Sequence, residues 1–322
     1  MIQAKGLSKR YGQTLAVDGL SFSVLPGRVT GFLGPNGSGK STTMRMIMGL
    51  DAPTAGEVKV NGRSFHDLPW PLREVGALLE ARAIHPGRSA WSHLWMLAQT
   101  NSIPKARVEE VLEIVGLTSV AHRRVGKFSL GMGQRLGIAG ALLGDPEILL
   151  FDEPVNGLDP DGIRWVRNLL KGLASEGRTV FVSSHLMSEM ALTAEQVVVI
   201  GKGHLIAEMS TDEFTAQSSQ RFVKVRSPQA KILGDALVSN GASVVWEQDG
   251  SLSVSGMSEV EIGELAGKIL VVLHELSVQS ASLEEAFMEL TEASVEYHGA
   301  SSGTHLSEGK ETVLLKEGQT NE

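Results

Sequence analysis

The stretch Gly34-Pro35-Asn36-Gly37-Ser38-Gly39-Lys40-Ser41-Thr42 constrains this chain more than any other. It matches the P-loop pattern G-x-x-x-x-G-K-[ST] at Gly34, Gly39, Lys40 and Ser41. Its flanks fit the motif. Residues 28–33 are apolar and β-prone, which predicts a buried strand, and residues 42–48 predict a helix stopped at Gly49. Glycines let backbone N–H groups curl around a phosphate, and the helix N-terminus adds partial positive charge. Lys40 can then reach the β- and γ-phosphates of a nucleotide, and the Ser41 hydroxyl can hold Mg²⁺.

Composition bounds the rest. With 322 residues, 42% of them hydrophobic and 20% charged, there is apolar material for one large domain or two ordinary ones. No apolar run reaches the roughly 18–20 residues of a membrane span, and Met1–Lys5 opens no signal-peptide core, so a cytoplasmic chain is expected. The absence of cysteine excludes disulfides, thiolate-bound zinc and a thiol nucleophile. A net charge of −8 without a lysine- or arginine-rich run argues against nucleic acid as the main partner.

Along the chain, 2–8, 20–25 and 55–60 read as strands of an antiparallel sheet beside the nucleotide-binding core. A short strand is expected at 75–79, mostly helix over 90–145, and buried strands at 147–152 and 178–183. A hairpin follows at 196–208. After a polar stretch near 212–220, the order strand 221–226, helix 228–240, strands 242–247 and 251–255, helix 258–268, strand 270–278 resembles a ferredoxin-like module, with an added helix at 282–292. The expected fold is α/β: a P-loop core with an antiparallel β subdomain and a helical subdomain at about 82–146. The ATPase domain would cover 1–215, the α+β module 220–293 and a disordered tail 294–322.

A P-loop alone says only that a nucleoside triphosphate binds. Asp152 ends an apolar strand and is followed by Glu153, at the sheet edge where ligands bind in α/β folds. Asp152 is placed to hold Mg²⁺, and Glu153 to orient or deprotonate an attacking water. The alternative is that the two acids cap the next helix. His185 ends a further strand on the same edge, within reach of a γ-phosphate.

These residues together resemble the ATP-binding subunit of an ABC transporter, from about residue 2 to 215. The resemblance makes 34–42 Walker A, 148–152 Walker B, Glu153 the catalytic glutamate, Gly157-Leu158-Asp159 the D-loop and His185 the H-loop histidine. Tyr11 falls where an aromatic ring stacks on adenine, its other reading being an ordinary loop tyrosine. The signature departs from Leu-Ser-Gly-Gly-Gln: it reads Phe128-Ser129-Leu130-Gly131-Met132, with Ser129 and Gly131 retained for the γ-phosphate. Glu80 stands where the family has a metal-binding glutamine. Glu80, the signature, the D-loop and the segment 282–291 are similar to the bacitracin/daunorubicin-resistance type, which carries a small C-terminal module.

The resemblance implies an ATP- and Mg²⁺-dependent ATPase on the inner face of the cell membrane. It would work as a head-to-tail dimer with a separate polytopic permease and export a drug, peptide or lipid-like substrate. Trp91 and Trp95, at i and i+4, fit either a groove for a permease helix or packing inside the helical subdomain. A soluble mechanical ATPase acting on ribosome or DNA is the competing reading. It is opposed by the acidity, the single ATPase domain and the absence of heptads between Lys40 and Asp152. No Asn-Lys-x-Asp motif supports a GTPase.

Overall fold

The computed structural model describes residues 1–80, 83–217, 222–247 and 249–279, together with Leu283 and Phe287. The elements in chain order are β1 (Ile2–Tyr11), β2 (Thr14–Val24), β3 (Arg28–Leu33), α1 (Lys40–Ile47), β4 (Ala55–Val60), α2 (Pro71–Glu74), β5 (Val75–Leu78), α3 (Ala90–Thr100), α4 (Lys105–Ile114) and α5 (Leu130–Leu142). They continue with β6 (Ile148–Asp152), α6 (Pro160–Ser175), β7 (Thr179–Ser184), α7 (Met187–Ala191), β8 (Gln196–Gly201), β9 (His204–Ser210) and α8 (Thr211–Gln217). The last are β10 (Phe222–Arg226), α9 (Ala230–Ser239), β11 (Ser243–Trp246), β12 (Leu252–Ser255), α10 (Glu259–Lys268) and β13 (Glu275–Gln279).

The central sheet has the order β5-β6-β7-β3-β8-β9, parallel up to the closing β8–β9 hairpin. Its strands read as continuous apolar runs because both faces are covered. Along β6, Leu149 and Phe151 face one core while Ile148 and Leu150 face the other. Val180 and Val182 of β7 alternate with Phe181 in the same way. The first core lies under the helices, including the helical subdomain built from α3, α4 and α5. The second lies between the central sheet, α1 and the antiparallel sheet β2-β1-β4. Phe22, Phe32 and Phe181 meet there, with ring centroids 4.9–5.7 Å apart.

Residues 9–11 continue β1 instead of forming a loop, and Gly12-Gln13 turns the chain into β2. Tyr11 is therefore fixed at a strand end opposite Thr14. The third sheet, β11-β12-β10-β13, is antiparallel throughout and carries α9 and α10. This is the strand order of the β-α-β-β-α-β arrangement, and its core is separate from the other two. The expected strand at 270–278 begins only at Glu275, after a turn with Leu270 at φ 56°. Leu283 and Phe287, assigned by sequence to this C-terminal module, are buried in the first core beside the central sheet. The rest of the expected helix at 282–292 and the expected tail lie outside the described residues. No helix among the described residues is long and apolar enough to cross a membrane.

Candidate nucleotide site

The loop between β3 and α1 needs glycine at position 39. Its φ is 105°, and a Cβ there would stand 2.6 Å from the carbonyl oxygen of Ala16. Asn36, Gly37, Gly39, Lys40, Ser41 and Thr42 line a cavity of about 230 Å³, which Asp152 and Glu153 also line. Gly34, Pro35 and Ser38 are not among its lining residues. The Lys40 ammonium donates to the carbonyls of Gly34 (2.6 Å) and Pro35 (3.1 Å). Burial lowers the Lys40 pKa, and the carboxylates of Glu153 and Asp152 work against that shift.

Parallel pairing of β6 with β7 sets Asp152 beside Ser183. The buried Ser183 hydroxyl donates to Asp152 Oδ1 and accepts from the Glu153 N–H at 3.0 Å. Glu153 is held at φ 51°, an uncommon conformation outside glycine. Its carboxylate lies 2.7 Å from Nδ1 of His185. Sequence singled out His185 and passed over Ser183; the signal was its place opposite Asp152, once the strand pairing is known.

Tyr11 stands beside α1. Its hydroxyl donates to Asp51 (2.7 Å), which also receives Arg45 Nε (2.7 Å), and Lys9 Nζ lies 5.0 Å from its ring. Hydrogen bonds from Arg45 and Tyr11 hold the Asp51 carboxyl below the usual range. Glu80 follows β5 as an exposed side chain and is not part of the cavity wall, though its charge reaches Arg45. Asp159 caps α6 by accepting from the Gly162 N–H (2.8 Å), and Ser129 caps α5 by accepting from the Met132 N–H (3.2 Å). Ser129, Gly131 and Asp159 line a second cavity of 330 Å³, together with Leu130, Gly157 and Leu158. Trp91 and Trp95 are half-buried against the helical core, 5.9 Å apart, which agrees with the packing reading.

Against known families, residues 17–156 match the model described as ABC transporter, and residues 221–284 match a domain of unknown function (DUF8746). The chain is 37% identical to the uncharacterized ABC transporter ATP-binding protein YhcH of Bacillus subtilis, over 90% of this chain and 96% of that one. This chain belongs to the ABC transporter ATP-binding proteins. It is also 44% identical to the bacitracin transport ATP-binding protein BcrA of Bacillus licheniformis, over 66% of this chain and 70% of that one. Among solved structures it is similar to the ABC cassette MJ0796, a dimer in a post-hydrolysis state bound to ADP and Pi. The TM-score is 0.61 and the identity 26%, covering 66% of this chain and 99% of that one. The chain is thus an ATP-binding ATPase subunit.

The donor set at the Walker cavity fits Mg²⁺. Ser41 offers a hydroxyl and Asp152 a carboxylate, hard oxygen ligands lining the same cavity. No group of three or more His, Cys, Asp or Glu side chains forms a metal cage among the described residues.

Proposed function

We propose that this chain is the motor subunit of an exporter, closing head to tail with a second copy around two ATP molecules and driving a separate transmembrane permease. One observation carries the reading. The Walker cavity and the signature cavity share no lining residue, so a nucleotide held by Lys40 is completed by a signature from elsewhere. A second copy supplies it by symmetry.

Within one site, the Walker A backbone and Lys40 bind the phosphates; Ser41 and Asp152 would hold Mg²⁺, which when bound would supply positive charge against the phosphates. Glu153 orients the attacking water and takes its proton. His185, bonded to Glu153, holds that carboxylate toward the γ-phosphate. Tyr11 stacks on the base. Ser129 and the α5 N-terminus of the second copy meet the γ-phosphate, and Asp159 faces the same interface. The kinship with bacitracin transport proteins supports a drug, peptide or lipid-like cargo and a place on the inner face of the membrane. Glu80 would act at the metal only after moving toward it on closure. The module at 222–279 supports dimerisation.

Glu153→Gln should lower turnover by about 10²–10⁴, the range for removing a general base. The same variant, tagged and purified from mild-detergent extracts of the native host, should retain a polytopic membrane protein in stoichiometric amount. Recovery of ribosomal proteins or DNA alone would replace the transporter reading with a soluble mechanical ATPase.

A further inference from the structure

The signature turn and the D-loop fit into one another. Gly157 has φ 74°, and a Cβ placed on it would run into Cδ2 and Cγ of Leu130. In return, a Cβ on Gly131 would stand 3.1 Å from Cδ2 of Leu158. Each turn seats a leucine over the other turn's glycine. Leu130 occupies a signature position where the family pattern has glycine, and the room for its side chain comes from Gly157. A third link lies one turn along α5. Gln134 is buried, and its amide donates to the carbonyls of Glu153 (3.0 Å) and Asn156 (3.4 Å).

We propose that Leu130, Gly157 and Gln134 form a positioning unit that carries movement of the signature turn to the backbone of Glu153 in the same chain. The proposal rests on the reading that this turn closes on a nucleotide held by a second copy. Close-packed contacts have few alternative arrangements, so two turns interlocked in this way move as one body. The Gln134 amide extends that body to the residue held at φ 51°. Closure at one nucleotide thereby sets the glutamate that faces the other. None of the three residues lines the Walker cavity, so their effect on nucleotide binding in the same chain is separable from their effect on turnover.

The test uses the full chain, with steady-state hydrolysis and a direct nucleotide titration side by side. Gly157→Ala should lower kcat about tenfold or more while nucleotide affinity changes less than about twofold. In Leu130→Ala only the Cβ remains, 3.7 Å from the position of the new methyl, an ordinary contact. The double variant L130A/G157A should therefore recover to within about threefold of L130A alone, the remainder reflecting the positive φ at residue 157. Gln134→Leu should lower kcat with affinity retained. Hydrogen exchange at the amides of residues 129–133 should quicken in G157A and slow again in the double variant.

Wild-type turnover in G157A would overturn the proposal, and so would a double variant no faster than G157A. Unchanged exchange at the signature amides in G157A would also overturn it. Glu153→Gln with ATP, run on size-exclusion chromatography, separates the two failures. An ATP-dependent dimer upholds the closure on which the proposal rests whichever way the interlock falls, and a chain that stays monomeric with ATP removes that reading itself.

Discussion

Replacing Ser183 with alanine asks whether Glu153 is actively held at its strand end. Ser183 is fully buried, and its hydroxyl bonds both Asp152 Oδ1 and the Glu153 N–H. Alanine leaves both groups without that partner. A left-handed conformation costs a non-glycine residue about 1–2 kcal/mol, and at φ 51° Glu153 bears that cost. Once the restraint is gone the residue relaxes, and the fraction in the productive conformation falls by the same free energy. At 1.36 kcal/mol per factor of ten, this predicts a drop in kcat of about 5- to 30-fold. Lys40 and the Walker A backbone are untouched, so KM for ATP should change little. Stability should fall by about 1–3 kcal/mol for the buried groups left unpaired. Steady-state ATPase kinetics and urea unfolding read the two effects. An S183A variant with unchanged kcat would show that Glu153 keeps its conformation without the serine, and the reasoning would fail.

Other variants probe the remaining geometry. Asp51→Asn removes the charged anchor of the Tyr11 hydroxyl and should weaken nucleotide binding about two- to fivefold with kcat retained, as expected for a binding contact alone. It is read by fluorescent-nucleotide titration, and unchanged affinity would count against a role for Tyr11. Burial lowers the Lys40 pKa, so its charge is lost on the alkaline side below the ordinary value of 10.5. Nucleotide affinity should accordingly fall as pH rises through the alkaline range, beginning below 10.5, and Lys40→Arg should move that fall upward because guanidinium stays charged. A flat affinity profile would argue against this. Gly76→Ala would drive a methyl into the backbone carbonyl of Ala141, which has no rotamer to yield. It should cost about 3 kcal/mol, at the upper end for overpacking, measured by urea unfolding.

The parts of this molecule legible in sequence are those that local pattern dictates. The strand carrying Ile148–Asp152 is a five-residue run ending in acid, and two-sided burial leaves such a run no other good use. The glycine loop announces itself by residue type and spacing. Ser183 was hidden because its importance comes from the register of β7 against β6, which a single sequence does not print. The fit of Leu130 on Gly157 was hidden for a similar reason. The departure at Leu130 is visible in the sequence, but that Gly157 makes room for it is a fact of contact. The strand expected at 2–8 runs on to Tyr11, because pairing with β2 continues as far as Tyr11 and Thr14. The cavity formed by the Walker residues follows from topology, since β3 and β6 both end at one sheet edge with β7 between them.

Leu283 and Phe287, buried in the first core although the chain has by then passed through β10–β13, have a consequence for biosynthesis. A ribosome delivers residues 1–217 first, and the first core must wait for the last of its side chains until the whole intervening sheet has emerged. In folding order, the sheet is an insertion inside the ATPase. A shortened protein ending near residue 217 would leave two apolar vacancies under the helices. A nascent chain of that length is therefore the species from which chaperone binding and proteolysis would be expected to take their toll.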